Sequence, residues 1–219
     1  MGLESDINKY LETMHKQDPM GKGTVGEQAA LRICEKFYQM CGGILYHSYT
    51  YKADPELQGN VKASGGQFYL ERVGSVTEID VLYATEFKIF PIEVKAYKAS
   101  KITLTDSSIA GCNRTEKSPV HQNEMHCRHL YPHLVRALPN GESKYIEPIV
   151  CFVDRCELVD NRSEAQKEYI KVVTLNQLES CIAQLNRPLE YRIDLDTLEV
   201  CLNDACTSYE KLFRLRRVR

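Results

Sequence analysis

Hydrophobic and polar residues follow two different periods along this chain, and the two periods predict helices and strands. Apolar residues spaced three to four apart predict helices over 4–17, 25–41, 120–138 and 175–184, and a weaker helix from about Ala205. Runs rich in β-branched and aromatic residues predict strands over 44–51, 67–73, 76–84, 87–97, 101–105, 147–153 and 169–173. Together these elements predict one α/β domain over residues 1–219, with a mixed central β-sheet flanked by helices.

Polar stretches and single residues refine these boundaries. The segments 106–118 and 154–168 are polar and are predicted to be loops. Pro132 is expected to kink or end its helix because proline lacks a backbone donor. Thr174 precedes the helix that begins at Leu175, and we expect it to be the N-cap.

The composition narrows the class of protein. Hydrophobic residues make up 43% of the chain and charged residues 26%, which excludes a disordered profile. The net charge of −2 and the pI of about 6.3 exclude the overall basicity of a nucleic-acid coat protein, so phosphate attraction requires local patches or bound cations. Nine cysteines favour reduced thiols over a disulfide framework. No apolar run approaches the roughly 18 residues of a membrane span, so we expect a cytoplasmic protein without a membrane partner.

Three charged residues stand out within the hydrophobic strands. Side chains alternate faces along a strand, so Glu93 and Lys95 share one face while Ile92 and Val94 face the core. A short turn near residues 85–86 predicts a hairpin whose paired residues sum to about 171. Asp80 would then lie opposite residues 91–92, within diagonal reach of Glu93.

Carboxylates that converge in this way predict a divalent-cation site. Two such groups repel each other unless they are protonated or bridged by a cation. Oxygen ligands without thiols favour Mg²⁺ or Mn²⁺. Lys95 beside that cation can hold a water molecule or a phosphate, which is the chemistry of phosphodiester hydrolysis.

The order of these residues resembles the signature of the PD-(D/E)XK nucleases, and more closely that of the nuclease-related (NERD) domain. Asp80 is followed at thirteen positions by Glu93-Val94-Lys95, although Ile79 stands where a proline often precedes the aspartate. Gly26-Glu27 lies on an early helix. Ser118-Pro119-Val120-His121-Gln122 is similar to the family's asparagine-proline-x-x-glutamine segment, with serine in place of asparagine. The resemblance covers about residues 20–155 and leaves 156–219 as a C-terminal α/β extension.

The resemblance implies a restriction-endonuclease-like fold and Mg²⁺-dependent (or Mn²⁺-dependent) cleavage of DNA. It implies that Asp80, Glu93, Glu27 and the Val94 carbonyl bind the metal, and that Lys95 and Gln122 complete the catalytic set. Two of these assignments have structural alternatives. A glutamate at position 27 can also stabilise the helix dipole, and Gln122 can be an ordinary polar residue at a helix start.

The helix over 120–138 carries further candidates. His126, His129 and His133 have the spacing of zinc ligands on one helical face, but Pro132 would distort that face, so we expect a solvated or substrate-facing helix instead. Arg128, Arg136 and Tyr97 are predicted nucleic-acid contacts, the first two to phosphate and Tyr97 to a base.

Two classes of function remain open from the sequence. The first is a metal-dependent nuclease acting on DNA, with RNA as a second substrate class. The second is a non-catalytic nucleic-acid-binding or scaffolding subunit with the same fold. The near-neutral charge leaves open a homo-oligomer or a place in a larger protein assembly.

Overall fold

The computed structural model describes residues 22–52, 76–97, 99–111, 118–153 and 156–206. The predicted helix over 4–17 and the predicted strand over 67–73 lie outside these ranges. The helices are α1 (Lys22–Cys41), α2 (Pro119–Leu134), α3 (Glu164–Tyr169), α4 (Leu175–Leu185) and α5 (Leu195–Ala205). The strands are β1 (Ile44–Lys52), β2 (Val76–Ala84), β3 (Ile89–Lys95), β4 (Lys101–Leu104), β5 (Ile109–Ala110), β6 (Ile149–Phe152), β7 (Glu157–Asp160) and β8 (Lys171–Thr174).

Five of the strands form a mixed sheet in the order β1-β2-β3-β6-β8. The pairs β1–β2 and β2–β3 are antiparallel, whereas β3–β6 and β6–β8 are parallel. The strand that carries Glu93 and Lys95 therefore lies in the middle of the sheet. This arrangement confirms the predicted α/β class with a mixed central sheet.

Helices cover both faces of that sheet. Residues Ala29, Ala30, Ile33, Cys34 and Phe37 give α1 an apolar face, which packs with α4 against the buried side chains of Val81, Ile92 and Val94. The opposite face of the sheet is covered by α2 and α5, whose apolar residues pack on Leu82 and Ile89. A smaller sheet has the strand order β5-β4-β7. It packs against β6 through a core that includes Val150 and Phe152 of that strand.

The turn between α1 and β1 depends on glycine. Gly42 has a φ of +70°, and its N–H donates to the Tyr38 carbonyl at 2.8 Å, which ends the helix. Gly43 has a φ of +109°, and a Cβ at this position would lie 2.1 Å from the Ala84 carbonyl oxygen. A larger residue would therefore push β1 away from β2.

The predicted register of the β2–β3 hairpin is wrong by two residues. Paired residues sum to 173, as in Val81↔Ile92, because the connection spans Thr85–Lys88 rather than two residues. The Thr85 N–H donates to the Lys88 carbonyl at 2.8 Å, and the Thr85 hydroxyl accepts the N–H groups of residues 87 and 88, which stabilises this longer turn. A shift of two residues keeps every side chain on its predicted face. It also moves Asp80 from a place beside residues 91–92 to a place beside Glu93.

Several other boundaries differ from the predictions. Most of the weaker helix expected from about Ala205 lies outside the described residues. The described helix that ends at Ala205 is α5, and its start is capped by the Asp194 carboxylate, which accepts the N–H groups of residues 196 and 197. Helix α3 and strand β7 form within the polar segment predicted as a loop. Pro132 lies inside α2, which continues to Leu134. The N-cap at Thr174 is confirmed, and it forms a capping box with Gln177.

Candidate metal centre

The antiparallel ladder between β2 and β3 ends where the charged residues begin. Its last pair is Val81↔Ile92. Beyond that pair the Val94 N–H donates to the Asp80 carboxylate, with a distance of 2.7 Å to Oδ2. The side chain of Asp80 thus takes the position that a strand carbonyl would occupy in a continued ladder, and the two strands separate around it.

The carbonyl of Val94 faces the same gap. On the other side of β3, the backbone of Lys95 bonds to β6, since its carbonyl accepts the Val153 N–H at 3.0 Å. Successive residues of a strand direct their backbone groups to opposite sides, and both groups of one residue point the same way. The Val94 carbonyl therefore points toward Asp80, which suits the ligand role that the resemblance implies for it.

Glu93 and Lys95 share the face of β3 that α2 covers. The Glu93 side chain is only 1% exposed, and its Oε1 lies 2.5 Å from Lys95 Nζ. The lysine is 22% exposed, so its ammonium reaches the surface of the site while the carboxylate stays inside. This geometry confirms that the two charges share one face of a central strand.

Both carboxylates are held in an unfavourable environment. Burial raises the pKa of Asp80 to about 6; the Val94 hydrogen bond opposes this shift, and the nearby Glu27 adds to it. Burial also raises the pKa of Glu93 to about 7; the charge of Asp80 adds to this shift, and Lys95 opposes it. One lysine does not offset two buried carboxylates, so the site favours an added positive charge.

Glu27 belongs to the same electrostatic group, although it lies on α1. The helix starts at Lys22, so Glu27 is in its second turn rather than at its start, which weakens the helix-dipole alternative. Gly26 allows the close approach of α1, because a Cβ there would lie 2.8 Å from a Val153 methyl group. The Glu27 carboxylate lies 3.6 Å from His47 Nε2 on β1. His47 was not predicted from the sequence, since only the fold brings it to Glu27.

A strained residue follows His47 in β1. Ser48 has a φ of +52°, an uncommon value for a residue other than glycine. It lies between the pairs His47↔Val81 and Tyr49↔Ile79, and therefore beside Asp80. In a regular strand Tyr46 would face away from Tyr49 and Tyr51, yet all three tyrosines pack in the same core. The inward and outward faces of β1 therefore exchange at Ser48.

Helix α2 brings His126 to the site, in a contact with Glu93 that the sequence did not predict. His126 Nδ1 lies 3.5 Å from Glu93 Oε2, and the ring is 12% exposed. Asn123 fixes the helix above β3, because its buried side-chain amide donates to the carbonyls of Pro91 at 3.2 Å and Ile149 at 2.9 Å. The half-buried Gln122 is four residues before His126, so both lie on the same side of α2.

The three residues predicted to contact nucleic acid lie in different surroundings. Arg128 is exposed and lies 3.4 Å from the Glu124 carboxylate. Arg136 lies beyond the end of α2, and its guanidinium donates to Cys201 and to Asp204, both on α5. The Tyr97 ring packs at 5.8 Å from the ring of Phe152. The structure thus places Arg136 against α5 and Tyr97 against Phe152, and the role of both toward nucleic acid stays a prediction.

The site has the donors that a hard divalent cation requires. Glu93 Oε2 is buried without a hydrogen-bond partner, two carboxylates have raised pKa values, and the Val94 carbonyl faces the same gap. Within the described ranges, no group of three His, Cys, Asp or Glu side chains is placed to hold a metal ion, so the candidate site has two carboxylates and a carbonyl as its protein donors. Of the three histidines with zinc-like spacing on α2, His133 contacts the Lys52 carbonyl at 3.0 Å. The residues fit Mg²⁺ or Mn²⁺ bound by two carboxylates, a carbonyl and water.

Comparison with known proteins identifies the family of the chain. A family model described as "Nuclease-related domain" (NERD) matches residues 22–153, more than half of the chain. A search of curated proteins finds no significant match. Among solved structures, the chain is similar to the crystal structure of a "Protein of Unknown Function AF1548", with 11% identity and a TM-score of 0.35. That alignment covers 67% of this chain and 58% of the other. Within the described residues, no helix has the length and apolar character of a membrane span.

Proposed function

The chain belongs to the nuclease-related domain family, and on that premise we propose that it is a metal-dependent nuclease that hydrolyses DNA phosphodiester bonds. The observation that carries the proposal is the fork between β2 and β3. There the Asp80 carboxylate accepts the Val94 N–H beside a fully buried Glu93, with Lys95 at the rim. A structural ion pair needs neither the buried second carboxylate nor the interrupted ladder.

The energetic cost of the site also supports a catalytic role. Buried carboxylates with raised pKa values destabilise a folded protein at neutral pH unless they bind something. Clusters of such groups in a cleft are typical of functional sites. The cost is explained if the carboxylates exist to bind a cation.

Each residue has a distinct role in the proposed reaction. A bound Mg²⁺ or Mn²⁺ would activate water and offset the negative charge that develops on the scissile phosphate. Asp80, Glu93 and the Val94 carbonyl would hold that cation, and Glu27 would support it or a second cation. The Lys95 ammonium, which is 22% exposed, binds a phosphate oxygen or orients the attacking water. Gln122 lies on α2 one turn before His126, and it orients the substrate.

Purified protein incubated with linear, circular and single-stranded DNA, and with RNA, tests the proposal. Each substrate is combined with Mg²⁺, with Mn²⁺ or with EDTA. Glu93→Gln and Lys95→Gln remove the two charges of the site, and Glu157→Gln and Lys101→Gln remove a matched pair that is exposed on β4 and β7. We expect cleavage of DNA that EDTA abolishes, that both site variants lose and that both control variants keep.

The opposite outcomes are equally informative. Cleavage that survives both site substitutions would show that the activity does not come from this site. Binding of DNA without cleavage in any metal would favour the non-catalytic subunit. Cleavage of RNA alone would be consistent with the proposed metal centre and would contradict DNA as its substrate.

A further inference from the structure

Strands β1 and β2 both exchange their faces at the same place beside the fork. On β1 the exchange occurs at Ser48, where φ is +52°. On β2, Ile79 packs in the core under α2 and α5, whereas Val81 packs in the core on the α1 side. A regular strand would place these two residues on one face. The residue between them is Asp80, so the exchange coincides with the candidate metal centre.

The exchange brings His47 to the α1 side of the sheet. If β1 continued the alternation of Tyr49 and Tyr51, residue 47 would lie in the core under α2 and α5. His47 instead pairs with Val81, whose side chain packs on the α1 side. Its Nε2 lies there 3.6 Å from Glu27 Oε2 on α1. The strained backbone therefore places an imidazole where a regular strand would not.

The pair formed by His47 and Glu27 lies beside the fork between β2 and β3. On β1, His47 is one residue from the position beside Asp80. Glu27 follows Gly26, and a Cβ on Gly26 would lie 3.4 Å from a Val94 methyl group. The histidine and glutamate side chains are 29% and 24% exposed, so solvent reaches both of them. A substrate bound at the fork would therefore pass close to this imidazole.

The stability of the fold does not explain this arrangement. An ion pair between partly exposed side chains contributes little, because solvent screens it. A residue other than glycine in the left-handed region costs more than such a pair returns, and residues of this kind cluster at functional sites. The separation of 3.6 Å is also longer than an ordinary hydrogen bond, so the imidazole remains able to donate to a ligand.

The charge of the site indicates the class of that ligand. The carboxylates of Glu27, Asp80 and Glu93 lie at or beside the fork, and Lys95 is the cation that contacts Glu93. A phosphodiester that approaches several carboxylates requires donors or positive groups that offset the repulsion. An imidazole N–H is a suitable donor to a phosphate oxygen, and half or more of the hydrogen bonds between proteins and DNA are made to phosphate and sugar.

We propose that His47 binds a phosphate of the DNA backbone beside the scissile one, and that Glu27 orients its ring. Strand β1 is two strands, about 9–10 Å, from β3. Lys95 lies on the α2 side of the fork and His47 on the α1 side, so the two residues contact different phosphates. The inference rests on the proposed function, since it assigns a further substrate contact to the same site. His47 acts on the position of the substrate and is not a ligand of the cation.

Binding of duplex DNA by the full chain tests this inference. The affinity for an end-labelled duplex is measured by fluorescence anisotropy at several salt concentrations in Ca²⁺, which takes oxygen ligands as Mg²⁺ does. The variants are His47→Ala, which removes the contact, and His47→Lys, which replaces the imidazole by another donor. His121→Ala removes an exposed histidine on α2 as a matched control. Near-ultraviolet circular dichroism verifies that each variant is folded.

We expect His47→Ala to weaken duplex binding by about three- to tenfold, and to lower the slope of log affinity against log salt concentration by up to about one, as for the loss of one phosphate contact. His47→Lys should restore both quantities, and His121→Ala should match the wild type. In cleavage assays the fall in kcat/KM for His47→Ala should equal the fall in affinity, because a contact of this kind is made equally in the ground state and the transition state.

Failure of this inference is distinguishable from failure of the proposed function. An unchanged affinity and salt slope in His47→Ala, in a protein that cleaves DNA, would overturn the phosphate contact and leave the nuclease intact. An equal loss in His47→Ala and His47→Lys would indicate a structural role for the ring and would also overturn the contact. A loss that lysine restores, in a protein that does not cleave, would support the contact and contradict the nuclease. Absence of duplex binding by the wild type would overturn the contact, while the cleavage assay decides the nuclease.

Discussion

Replacing Glu93 by glutamine is expected to stabilise the protein without metal at pH 8 and to abolish its response to divalent cations. Glu93 is 1% exposed, and burial raises its pKa from 4.5 to about 7. Glutamine has the shape and hydrogen-bonding groups of the protonated acid but cannot ionise. The substitution therefore removes the cost of a buried charge without leaving a cavity.

The size of the effect follows from the pKa shift. The folded protein binds the Glu93 proton more tightly than the unfolded chain between about pH 4.5 and pH 7, so its stability falls as the pH rises through that window. At about 1.4 kcal/mol per pKa unit, the full penalty is on the order of 3 kcal/mol above pH 7. We expect Glu93→Gln to be more stable than the wild type by about 2–3 kcal/mol at pH 8, and by less than about 1 kcal/mol at pH 5.

Urea unfolding in EDTA at the two pH values measures this difference, with Glu157→Gln as the exposed control. Addition of Mg²⁺ at about ten times its dissociation constant should stabilise the wild type by about 1.4 kcal/mol and leave Glu93→Gln unchanged. A variant that is less stable than the wild type at pH 8 in EDTA, or a difference independent of pH, would refute the reasoning.

The remaining predictions concern stability and are read from urea unfolding. Asn123→Ala should cost about 2–3 kcal/mol because two buried carbonyls lose their donor, whereas Asn176→Ala on the exposed face of α4 should change stability by less than about 0.5 kcal/mol; equal effects would contradict this. Arg162→Lys should cost about 2 kcal/mol, since an ammonium cannot replace the two-pronged guanidinium contact with Asp160, and a neutral result would show that this contact contributes little. Ser48→Val should cost about 1–2 kcal/mol at its φ of +52°, while Ser48→Gly should be at least as stable as the wild type; the reverse order would be inconsistent with a strained backbone.

The hairpin that carries the candidate site could be predicted from the sequence because strand alternation is a strong local constraint. The faces of Glu93 and Lys95 depend only on the period of two, which the structure keeps. The register depended on the length of the turn, which contains no glycine or proline that would fix it. The hydroxyl of Thr85 determines that length, and a hydrogen bond of this kind is not evident from a residue pattern.

Helix α5 was missed although a local signal was present. Asp194 followed by Leu195, Leu198 and Leu202 has the form of an N-cap and an apolar helical face. No element was predicted between residues 184 and 205. Helix α3 has no comparable signal, because its six residues bury none of their side chains fully.

The contacts that the two histidines make at the site were not predictable, for a different reason. His126 follows Glu93 by more than thirty residues, and its contact depends on the rotation at which α2 lies on the sheet. Asn123 determines that rotation through two carbonyls of different strands. His47 reaches Glu27 only because β1 and α1 are both packed beside β2. Contacts between elements of this kind follow from packing and not from a local pattern.

The most direct test of the metal-dependent nuclease is the single-turnover cleavage rate of an end-labelled DNA duplex, measured in Mg²⁺ for the wild type and for Asp80→Asn. Asparagine retains an oxygen that can accept the Val94 N–H, so the fork between the strands should persist while the negative charge is lost. We expect the rate in the variant to fall about 10²- to 10³-fold, in line with the loss of a group that stabilises charge in the transition state. Equal rates in the two proteins would contradict the assignment of the metal centre to Asp80 and its neighbours.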